Sequence, residues 1–294
     1  MKLSIITINL NNSAGLLKTI NSVISQTSKE YEYIIIDGGS IDNSVEIIKY
    51  FTDIPEGKYC HLKYTNVSPI TYWISEPDHG IYHAINKGIL IAKGEYCQFL
   101  NSGDRFVAPD VIENMLKDMS DCSIYYGNML KELPHGKIYR DSCQKGNITM
   151  LTLYRGTLNH SPTFIKREMF NKYGLYDEDL KIVSYWKWYI NAIGIHNEKL
   201  RYIDLDVNYF DMKGISTTDQ DLVKQERRMV LEELLPQNIL IDYDANWRKI
   251  DQSNRIFRYM ITRCTFLLVE RILFKWEKLM IKFKYLSENS YSNL

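Results

Sequence analysis

Five polar residues stand where predicted strands of this 294-residue chain end, and their types could bind a charged ligand. They are Thr7, Asn9, Asp37, Asp78 and Asp104. Each of them, taken alone, is an ordinary turn or cap residue. In an open α/β sheet, however, ligands bind in the crevice outside the carboxyl ends of the strands. Carboxylates gathered there repel each other unless a cation or a hydrogen-bonding ligand lies between them.

Two of these carboxylates have distinct expected roles. Asp37 can accept a hydrogen bond from a base N–H or from a ribose hydroxyl. Asp104 closes the polar turn Asn101–Asp104 and is expected to be exposed there. Mg2+ and Mn2+ are commonly held by one or two carboxylates together with substrate phosphate oxygens. We therefore expect a divalent cation at Asp104, held against a diphosphate.

The hydrophobic pattern predicts the elements that position these residues. Nearly continuous apolar runs are typical of strands buried on both faces, and apolar residues on one helical face indicate helices. Strands are predicted at 3–10, 33–36, 62–64, 71–74 and 96–100, and helices at 16–25, 44–51 and 81–92. Lys93 and Gly94 are expected to stop the last of these helices. This alternation predicts an α/β fold with a parallel, doubly wound sheet and right-handed crossovers.

Composition narrows the class of protein. Lys+Arg and Asp+Glu both number 36, so the net charge is zero and does not favour a nucleic-acid partner. Five scattered cysteines argue against a disulfide framework or a zinc site and favour a reducing compartment. A strand is predicted almost at the first residue, and no run of 18 apolar residues occurs, so we expect neither a signal peptide nor a spanning helix. These features predict a cytoplasmic protein.

Four blocks carry a resemblance to a known family. SIITINLNN, IIIDGGSIDNS, SEPDHGIYHAINKG and FLNSGD resemble, in this order, the family 2 glycosyltransferases. The resemblance covers roughly the first 215 residues. It implies a GT-A fold, which is a Rossmann-like nucleotide-sugar-binding domain with a mainly parallel central sheet. It also implies an inverting, metal-dependent enzyme of bacterial surface-polysaccharide synthesis. Its donor would be a nucleotide sugar, with UDP as the expected carrier.

The resemblance assigns roles residue by residue. The donor-binding positions it implies are Thr7, Asn9, Asp37, Asp78, Lys87, Asn101, Ser102, Gly103 and Ser216. His160 and Trp186 would lie beside the donor sugar or the acceptor. Asp104 would hold Mn2+ or Mg2+. The chain departs from the family at this turn, because Asn101 and Gly103 replace acidic residues that are often found there, so the affinity for metal is expected to be modest.

Another departure concerns the expected catalytic base. In similar sequences an Asp precedes the Trp of this block, whereas here Tyr185 precedes Trp186. Inversion needs a base that takes the proton of the acceptor hydroxyl, and loss of a general base typically costs ~10²–10⁴-fold in rate. A tyrosine with the reference pKa of about 10 is mostly protonated at pH 7. The alternatives are an impaired enzyme, substitution by Asp177, Glu178 or Asp179, or a relative that only binds its ligand.

The end of the chain has a different composition. Residues 247–286 hold ten Lys or Arg and three acidic residues, a local net charge of +7, together with a dense apolar pattern. This pattern predicts basic amphipathic helices that could lie on an anionic membrane or pack on protein. We expect a glycosyltransferase domain at 1–218 and a helical extension at 219–294. Peripheral contact with the inner face of the cytoplasmic membrane would place the enzyme near glycan or lipid-linked saccharide acceptors.

Two rival functions remain open at this point. The first is a catalytically silent protein that binds nucleotide sugars or glycans, as Tyr185 and the reduced metal motif would allow. The second is a nucleotidyltransferase, which would need a glycine-rich basic loop after the first strand. Residues 10–16 contain only Gly15 and no Lys or Arg, so this second rival is disfavoured. The sequence does not decide between a monomer and a homo-oligomer.

Overall fold

The computed structural model describes residues 1–52, 69–133, 136–141, 148–246, 248–249, 252–253 and 255. Contacts divide the chain into two compact units, Met1–Leu234 and Leu235–Leu294. The first unit therefore continues past the predicted boundary at residue 218. In the second unit, residues 237–246 are helical. The predicted strand at 62–64 and most of the basic segment 247–286 lie outside the described residues.

The described residues of the first unit form one sheet of nine strands. Their bounds are β1 Leu3–Asn9, β2 Tyr31–Asp37, β3 Tyr72–Ser75, β4 Tyr96–Phe99, β5 Arg105–Phe106, β6 Ile124–Glu132, β7 Ile138–Asp141, β8 Thr163–Lys166 and β9 Leu200–Phe210. The order along the sheet is β3-β2-β1-β4-β8-β6-β9-β5, and β7 pairs with β6. The first four strands of this order are mutually parallel, whereas β8 runs antiparallel to both of its neighbours.

Helices connect these strands. Their bounds are α1 Ser13–Ile24, α2 Ser44–Thr52, α3 Ile81–Ile91, α4 Val111–Asp118, α5 Met150–Arg155, α6 Glu168–Tyr173, α7 Ser184–Tyr189, α8 Ile215–Thr218 and α9 Gln220–Leu234. A π-helix, Ile190–Ile195, follows α7 directly. The predicted α/β fold with a mainly parallel central sheet is confirmed, and the predicted helices and described strands agree with the observed ones to within a few residues.

The sheet carries a core on both faces, as its apolar runs require. Ile5 belongs to a buried cluster with Leu16 and Ile20 of α1. Its neighbour Ile6 faces the other way, where α3 crosses so closely that a Cβ on Gly88 would lie 2.5 Å from the Ile6 side chain. Both isoleucines are fully buried. The carboxyl ends of β1, β2 and β3 are thereby held level, and Asn9, Asp37 and Ser75 pair across them.

The end of α3 corrects one local prediction. The helix ends at Ala92, whose backbone is extended (φ −59°, ψ 137°), and not on a left-handed glycine. Gly94 is required for another reason, because a Cβ there would lie 2.5 Å from the Leu3 backbone. It lets the chain enter β4 directly beside β1. Among the described residues, no helix has the length and apolar character needed to cross a membrane.

Candidate active site

A cavity of about 500 Å³ lies beyond the carboxyl end of β4. Three segments from distant parts of the chain form most of its wall: the turn Asn101–Asp104, the turn Asn159–Ser161 that precedes β8, and Phe210–Thr217 after β9. Side chains from the turn before α1, from α3, from β6 and from α7 with the residues just before it complete the wall. These further lining residues are Asn12, Ile81, Tyr82, Ile85, Met129, Lys131, Lys181, Ile182 and Tyr185. The cavity therefore joins polar turns to an apolar and aromatic wall.

The turn Asn101–Asp104 is held by strands and helix together. The Ser102 N–H donates to the carbonyl of Ile8 in β1, at 3.1 Å. Gly103 adopts φ +106°, a conformation that favours glycine. Thr19 of α1 accepts from the Gly103 N–H at 3.0 Å and donates to the Asp104 carbonyl at 2.6 Å. Asn12 also donates to the Ser102 carbonyl at 3.1 Å. This turn is therefore a fixed part of the scaffold.

Asp104 is buried, which corrects the expectation of an exposed carboxylate: the residue is only 3 % exposed. Its Oδ1 accepts from the Asp211 N–H at 2.8 Å. Burial raises the pKa of Asp104 to about 8, and the neighbouring charge of Asp211 adds to this, although the Asp211 N–H opposes it. A cation bound beside this carboxyl would favour its ionised form.

The donor set at this point fits a hard divalent cation. The Asp211 carboxylate lies beside the turn, because a Cβ on Gly103 would come within 2.5 Å of Asp211 Oδ2. The buried side-chain oxygen of Asn101 has no hydrogen-bond partner. Carboxylate and amide oxygens are suitable ligands for Mg2+ or Mn2+. The described residues contain no group of three or more His, Cys, Asp or Glu side chains that could hold a metal alone, so substrate oxygens would complete the shell.

An aromatic stack forms the opposite wall. The His160 ring lies between Phe99 and Tyr185, with centroid distances of 4.6 Å and 5.2 Å and interplanar angles of 12° and 25°. His160 Nε2 is 3.0 Å from the Tyr176 hydroxyl. Burial lowers the pKa of His160 to about 3, so its ring is neutral at physiological pH. The stack fixes a neutral imidazole and a phenol side by side in the cavity.

The position of Tyr185 is set by contacts from other elements. Glu226 of α9 accepts from the N–H groups of Lys181, Ile182 and Val183 at 2.7, 2.9 and 3.1 Å. The Tyr82 hydroxyl of α3 donates to the Ile182 carbonyl. The segment before α7 is therefore held from two sides, and Tyr185 enters the cavity from the first turn of that helix.

The three carboxylates considered as substitutes for the missing base do not line the cavity. Asp177 accepts from Lys187 at 2.7 Å, and Glu178 accepts from Asn86 at 2.8 Å. Asp179 donates its own N–H to Asp177. These contacts hold the loop before α7, and they leave Asp104 and Asp211 as the carboxylates of the cavity among the described lining residues.

A second polar cluster lies at the ends of β1, β2 and β3. The Asp37 carboxylate accepts four hydrogen bonds: Asn9 Nδ2 at 2.7 Å, the Ser40 hydroxyl and Ser75 hydroxyl at 2.6 Å each, and the Ser40 N–H at 2.9 Å. Burial would raise the pKa of Asp37, but the bonds from Ser40, Ser75 and Asn9 outweigh it and lower the pKa. Four bonds fill the acceptor capacity of a carboxylate.

Asp78 extends this cluster through ion pairs. Lys87 Nζ lies 2.5 Å from Asp78 Oδ1 and 2.7 Å from Glu76 Oε1. His83 Nδ1 is 3.3 Å from the same Asp78 oxygen. The Asp78 carboxylate also faces Gly38, where a Cβ would lie 3.1 Å from Oδ2. The loop before α3 is in this way tied to the end of β2.

Comparison with known proteins decides the family. The model of glycosyl transferase family 2 matches residues 4–174, more than half of the chain. The protein belongs to glycosyl transferase family 2. The matched region contains β1 to β4 and the turns Asn101–Asp104 and Asn159–Ser161. It ends before Tyr185, Asp211 and α9, so those parts of the site lie outside the shared family region.

Relatives by sequence are also glycosyltransferases by name. An uncharacterized glycosyltransferase of Mycobacterium tuberculosis is 38% identical over 118 residues, which are 40% of this chain and 39% of that protein. A PGL/p-HBAD biosynthesis glycosyltransferase of Mycobacterium bovis is 22% identical over 266 residues, 88% of this chain and 96% of that protein. The match to the first of these thus spans well under half of its length.

Solved structures share the fold at low identity. Staphylococcus aureus TarS matches with a TM-score of 0.59 and 16% identity, over 79% of this chain and 39% of TarS. TarS 1–349 in complex with UDP-GlcNAc matches at 0.58 and 17%, over 74% and 61%. The mannosyltransferase PcManGT of Pyrobaculum calidifontis, in complex with GDP-Man and Mn2+, matches at 0.51 and 14%, over 72% and 58%. These likenesses show the GT-A type of fold.

The predicted site residues of this family 2 protein fall into two groups. Those that line the cavity are Asn101, Ser102, Asp104, His160, Tyr185 and Ser216. Those that do not are Thr7, Asn9, Asp37, Asp78, Lys87, Gly103 and Trp186. Six of the thirteen predicted residues thus line the cavity, whose wall has 22 residues among those described.

Two members of the second group need correction. Trp186 is 1 % exposed, and its indole N–H donates to the Leu153 carbonyl at 2.8 Å, with Arg227 stacked 4.2 Å above the ring. It is a core residue and does not contact the cavity. Thr7 is fully buried and its hydroxyl donates to the Leu100 carbonyl at 2.7 Å.

The prediction from sequence also missed cavity residues. Asn159 lines the cavity, and its buried side-chain amide nitrogen has no hydrogen-bond partner. Asp211 stands beside Asp104 although 107 positions separate them in the chain. Asn159 directly precedes the predicted residue His160, whereas Asp211 lies five positions before the predicted Ser216 and had no local signal of its own.

Proposed function

We propose that the protein is an inverting, metal-dependent glycosyltransferase that takes its sugar from a nucleotide sugar with UDP as the carrier. The observation that carries this proposal is the pairing of Asp104 with Asp211 at the edge of the cavity. Asp104 is buried and Asp211 is half-buried, and two such neighbouring carboxylates repel each other unless a cation accompanies them. In a glycosyltransferase that uses a nucleotide sugar, this cation would neutralise the charge of the donor diphosphate.

The residues of the cavity have separate tasks in this account. Asp104 and Asp211 would hold Mn2+ or Mg2+, with the Asn101 side-chain oxygen as a further ligand. Such a cation stabilises the charge that develops on the departing diphosphate. The Ser216 hydroxyl and the backbone of Gly214–Thr217 lie at the same cavity and can bond phosphate oxygens. Asn159 can donate its free amide hydrogens to a sugar hydroxyl.

The reaction is a displacement at the anomeric carbon. An acceptor oxygen attacks from the side opposite the diphosphate, so the configuration at that carbon inverts. The wall of Tyr185 and His160 would receive the acceptor. Solved neighbours support the donor class, since TarS 1–349 is described in complex with UDP and with UDP-GlcNAc. The PcManGT complex with GDP-Man and Mn2+ supports the cation.

The acceptor and the cellular role follow the family resemblance. We propose a glycan or a lipid-linked saccharide of bacterial surface-polysaccharide synthesis, with the enzyme drawn to anionic lipid by residues 247–286. Flotation with liposomes that contain phosphatidylglycerol, compared between the full chain and a chain ending at 246, tests the membrane part. The full chain should float and the shortened chain should not. Equal behaviour of both would contradict it.

Donor turnover separates this proposal from a silent binding protein. Incubation of the full chain with UDP-GlcNAc, UDP-glucose or GDP-mannose and Mn2+ should release the nucleoside diphosphate from at least one donor. Removal of Mn2+ with a chelator should stop the release. Binding of a donor without any release, in the presence of a mixed set of acceptors, would show a binding protein in place of an enzyme.

A further inference from the structure

The cavity holds an unusual set of proton-accepting groups for a sugar transferase. Among the described residues that line it, the candidates are Asp104, Asp211, His160, Tyr82 and Tyr185. Asp104 and Asp211 adjoin each other at the proposed cation site, so their oxygens face the diphosphate end of the donor. Tyr82 is buried and its hydroxyl is bonded to the Ile182 carbonyl. Among the described lining residues, His160 and Tyr185 then remain as candidates on the proposed acceptor wall.

His160 is not arranged as a base. Its ring is sandwiched between Phe99 and Tyr185, and Nε2 is engaged by the Tyr176 hydroxyl at 3.0 Å. Burial also disfavours its charged form. An imidazole that cannot easily become an imidazolium cannot take a proton from an alcohol. His160 therefore acts as a rigid aromatic surface.

Tyr185 lines the cavity beside His160 and brings a phenol, and no carboxylate, to the proposed acceptor wall. A phenol that carries its own proton cannot take one from an alcohol, whereas a carboxylate can act as a general base. An alcohol as weakly acidic as water, with a pKa of about 15.7, needs such a base. The wall is thus suited to an acceptor that has already lost its proton.

Charge at the rim favours such an acceptor. Lys181 and Lys213 line the mouth of the cavity and are exposed, and neither makes an ion pair with another described residue. Lys131, which also lines the cavity, is paired with Asp141 at 2.9 Å. Two unpaired cations beside an opening attract anionic ligands and raise their local concentration. Ile81 and Ile215 add exposed apolar surface at the same rim.

We propose that this site transfers its sugar to an acidic oxygen, that of a phosphate monoester or an acidic phenol, in preference to the alcohol hydroxyl of a sugar. This inference rests on the proposed glycosyltransferase function and narrows its acceptor. The acceptor loses its proton to water before it binds. Its negatively charged oxygen then forms a bond to the anomeric carbon. The bond from that carbon to the diphosphate oxygen breaks, and its electron pair leaves with the nucleoside diphosphate.

Matched acceptor pairs test the proposal on the unmodified full chain. One pair is 4-nitrophenol and 4-nitrobenzyl alcohol, which are similar in shape and differ in acidity. The other pair is octyl phosphate and octanol, so that the phenol and phosphate sources are tested separately. With Mn2+ and the donor that the protein binds most tightly of UDP-GlcNAc, UDP-glucose and GDP-mannose, the glycosylated product is measured by mass spectrometry. We expect at least one acidic acceptor to react ~100-fold faster than its alcohol partner.

The variant Tyr185→Asp sharpens the result. It introduces a carboxylate on the acceptor wall and should raise transfer to the alcohols by ~10²–10⁴-fold, so the preference for acidic acceptors should shrink. Equal rates of the unmodified protein with an alcohol and its acidic partner would overturn the proposal, as would donor binding without transfer to either acidic acceptor. Calorimetry with the same donors distinguishes failure of the acceptor inference from failure of the glycosyltransferase proposal. Absence of any Mn2+-dependent donor binding would contradict the glycosyltransferase proposal itself.

Discussion

The two polar clusters at the carboxyl edge of the sheet have similar residues and opposite states. At the ends of β1–β3, the Asp37 carboxylate receives four hydrogen bonds and Asp78 is paired with Lys87. At the cavity, the Asp104 carboxylate accepts one hydrogen bond, from the Asp211 backbone N–H, and feels the charge of Asp211, while polar atoms of Asn101 and Asn159 are buried without partners. Buried polar groups are normally satisfied, because an unmet one costs about 1–3 kcal/mol. The first cluster also holds one such atom, Asn9 Oδ1, so the contrast concerns the two carboxylates: that of Asp37 is satisfied within the fold, and that of Asp104 is available to a ligand.

Asp104→Asn should give the largest effect on activity, and it tests the role assigned to the carboxylate at the cavity. Loss of the carboxylate removes a charge that holds the cation and diphosphate. Removal of such an electrostatic contribution typically lowers kcat by ~10²–10³-fold. Asp206→Asn is the matched control, because Asp206 is a half-buried carboxylate that pairs with Arg140 outside the cavity. Steady-state rates of diphosphate release measure both variants. A similar loss in both would show that Asp104 has no special role.

Asp37→Asn should lower the stability of the fold, and it tests the role assigned to the cluster at the ends of β1–β3. The amide keeps the shape but replaces one acceptor oxygen by a donor that faces the Ser40 and Ser75 hydroxyls. Hydrogen bonds to a charged group contribute about 1.5–3 kcal/mol each, so we expect a loss of about 2–4 kcal/mol in the free energy of unfolding. Urea denaturation at pH 7 checks this. A variant as stable as the original chain but unable to bind donor would place Asp37 in the ligand site.

The pH dependence of stability should have opposite signs for the two aspartates. The pKa of Asp37 is lowered in the fold, so its contribution is present above about pH 4 and is lost as pH falls through the lowered pKa. The pKa of Asp104 is raised to about 8, so the metal-free fold binds its proton more tightly than the unfolded chain does. Stability from Asp104 is therefore lost as pH rises from about 4 to about 8.

Thermal melts of the two metal-free variants measure this difference. The melting temperature of Asp104→Asn, relative to that of the original chain, should be higher at pH 8 than at pH 5. The melting temperature of Asp37→Asn, relative to that of the original chain, should be lower at pH 7 than at pH 3. If the two variants show the same pH trend, the contrast between the clusters is wrong.

Two asparagines give the smallest and most specific test. Asn159→Ala removes an amide nitrogen without a partner, so it should leave the melting temperature nearly unchanged and raise the KM for donor about 5–10-fold, equivalent to about 1 kcal/mol. Asn86→Ala is its counterpart. Asn86 donates to the Tyr176 carbonyl and to Glu178 and accepts from the Tyr176 N–H. That variant should lower stability by about 2 kcal/mol and leave the donor KM of the folded fraction similar. Reversed behaviour would contradict the division into ligand-binding and supporting residues.

The pattern along the chain was sufficient to predict the fold because its signals are local. Strand β1 is a nearly continuous apolar run, and the turn Asn101–Asp104 follows closely on the end of β4. The cavity depends on long-range geometry that spacing does not encode. The contact of Asp104 with Asp211 and the packing of Trp186 against Leu153 and Arg227 join residues that lie far apart in the chain. Residue type alone could not separate Asp37, which is saturated, from Asp104, which is not.

Calorimetric titration of UDP into the full chain, with and without Mn2+, tests the central claim most directly. The account predicts that Mn2+ tightens UDP binding at least about 10-fold, equivalent to about 1.4 kcal/mol, and that Asp104→Asn abolishes this gain while Asp206→Asn keeps it. Equal affinity for UDP with and without Mn2+ in the original chain would contradict the claim that Asp104 and Asp211 form the cation site.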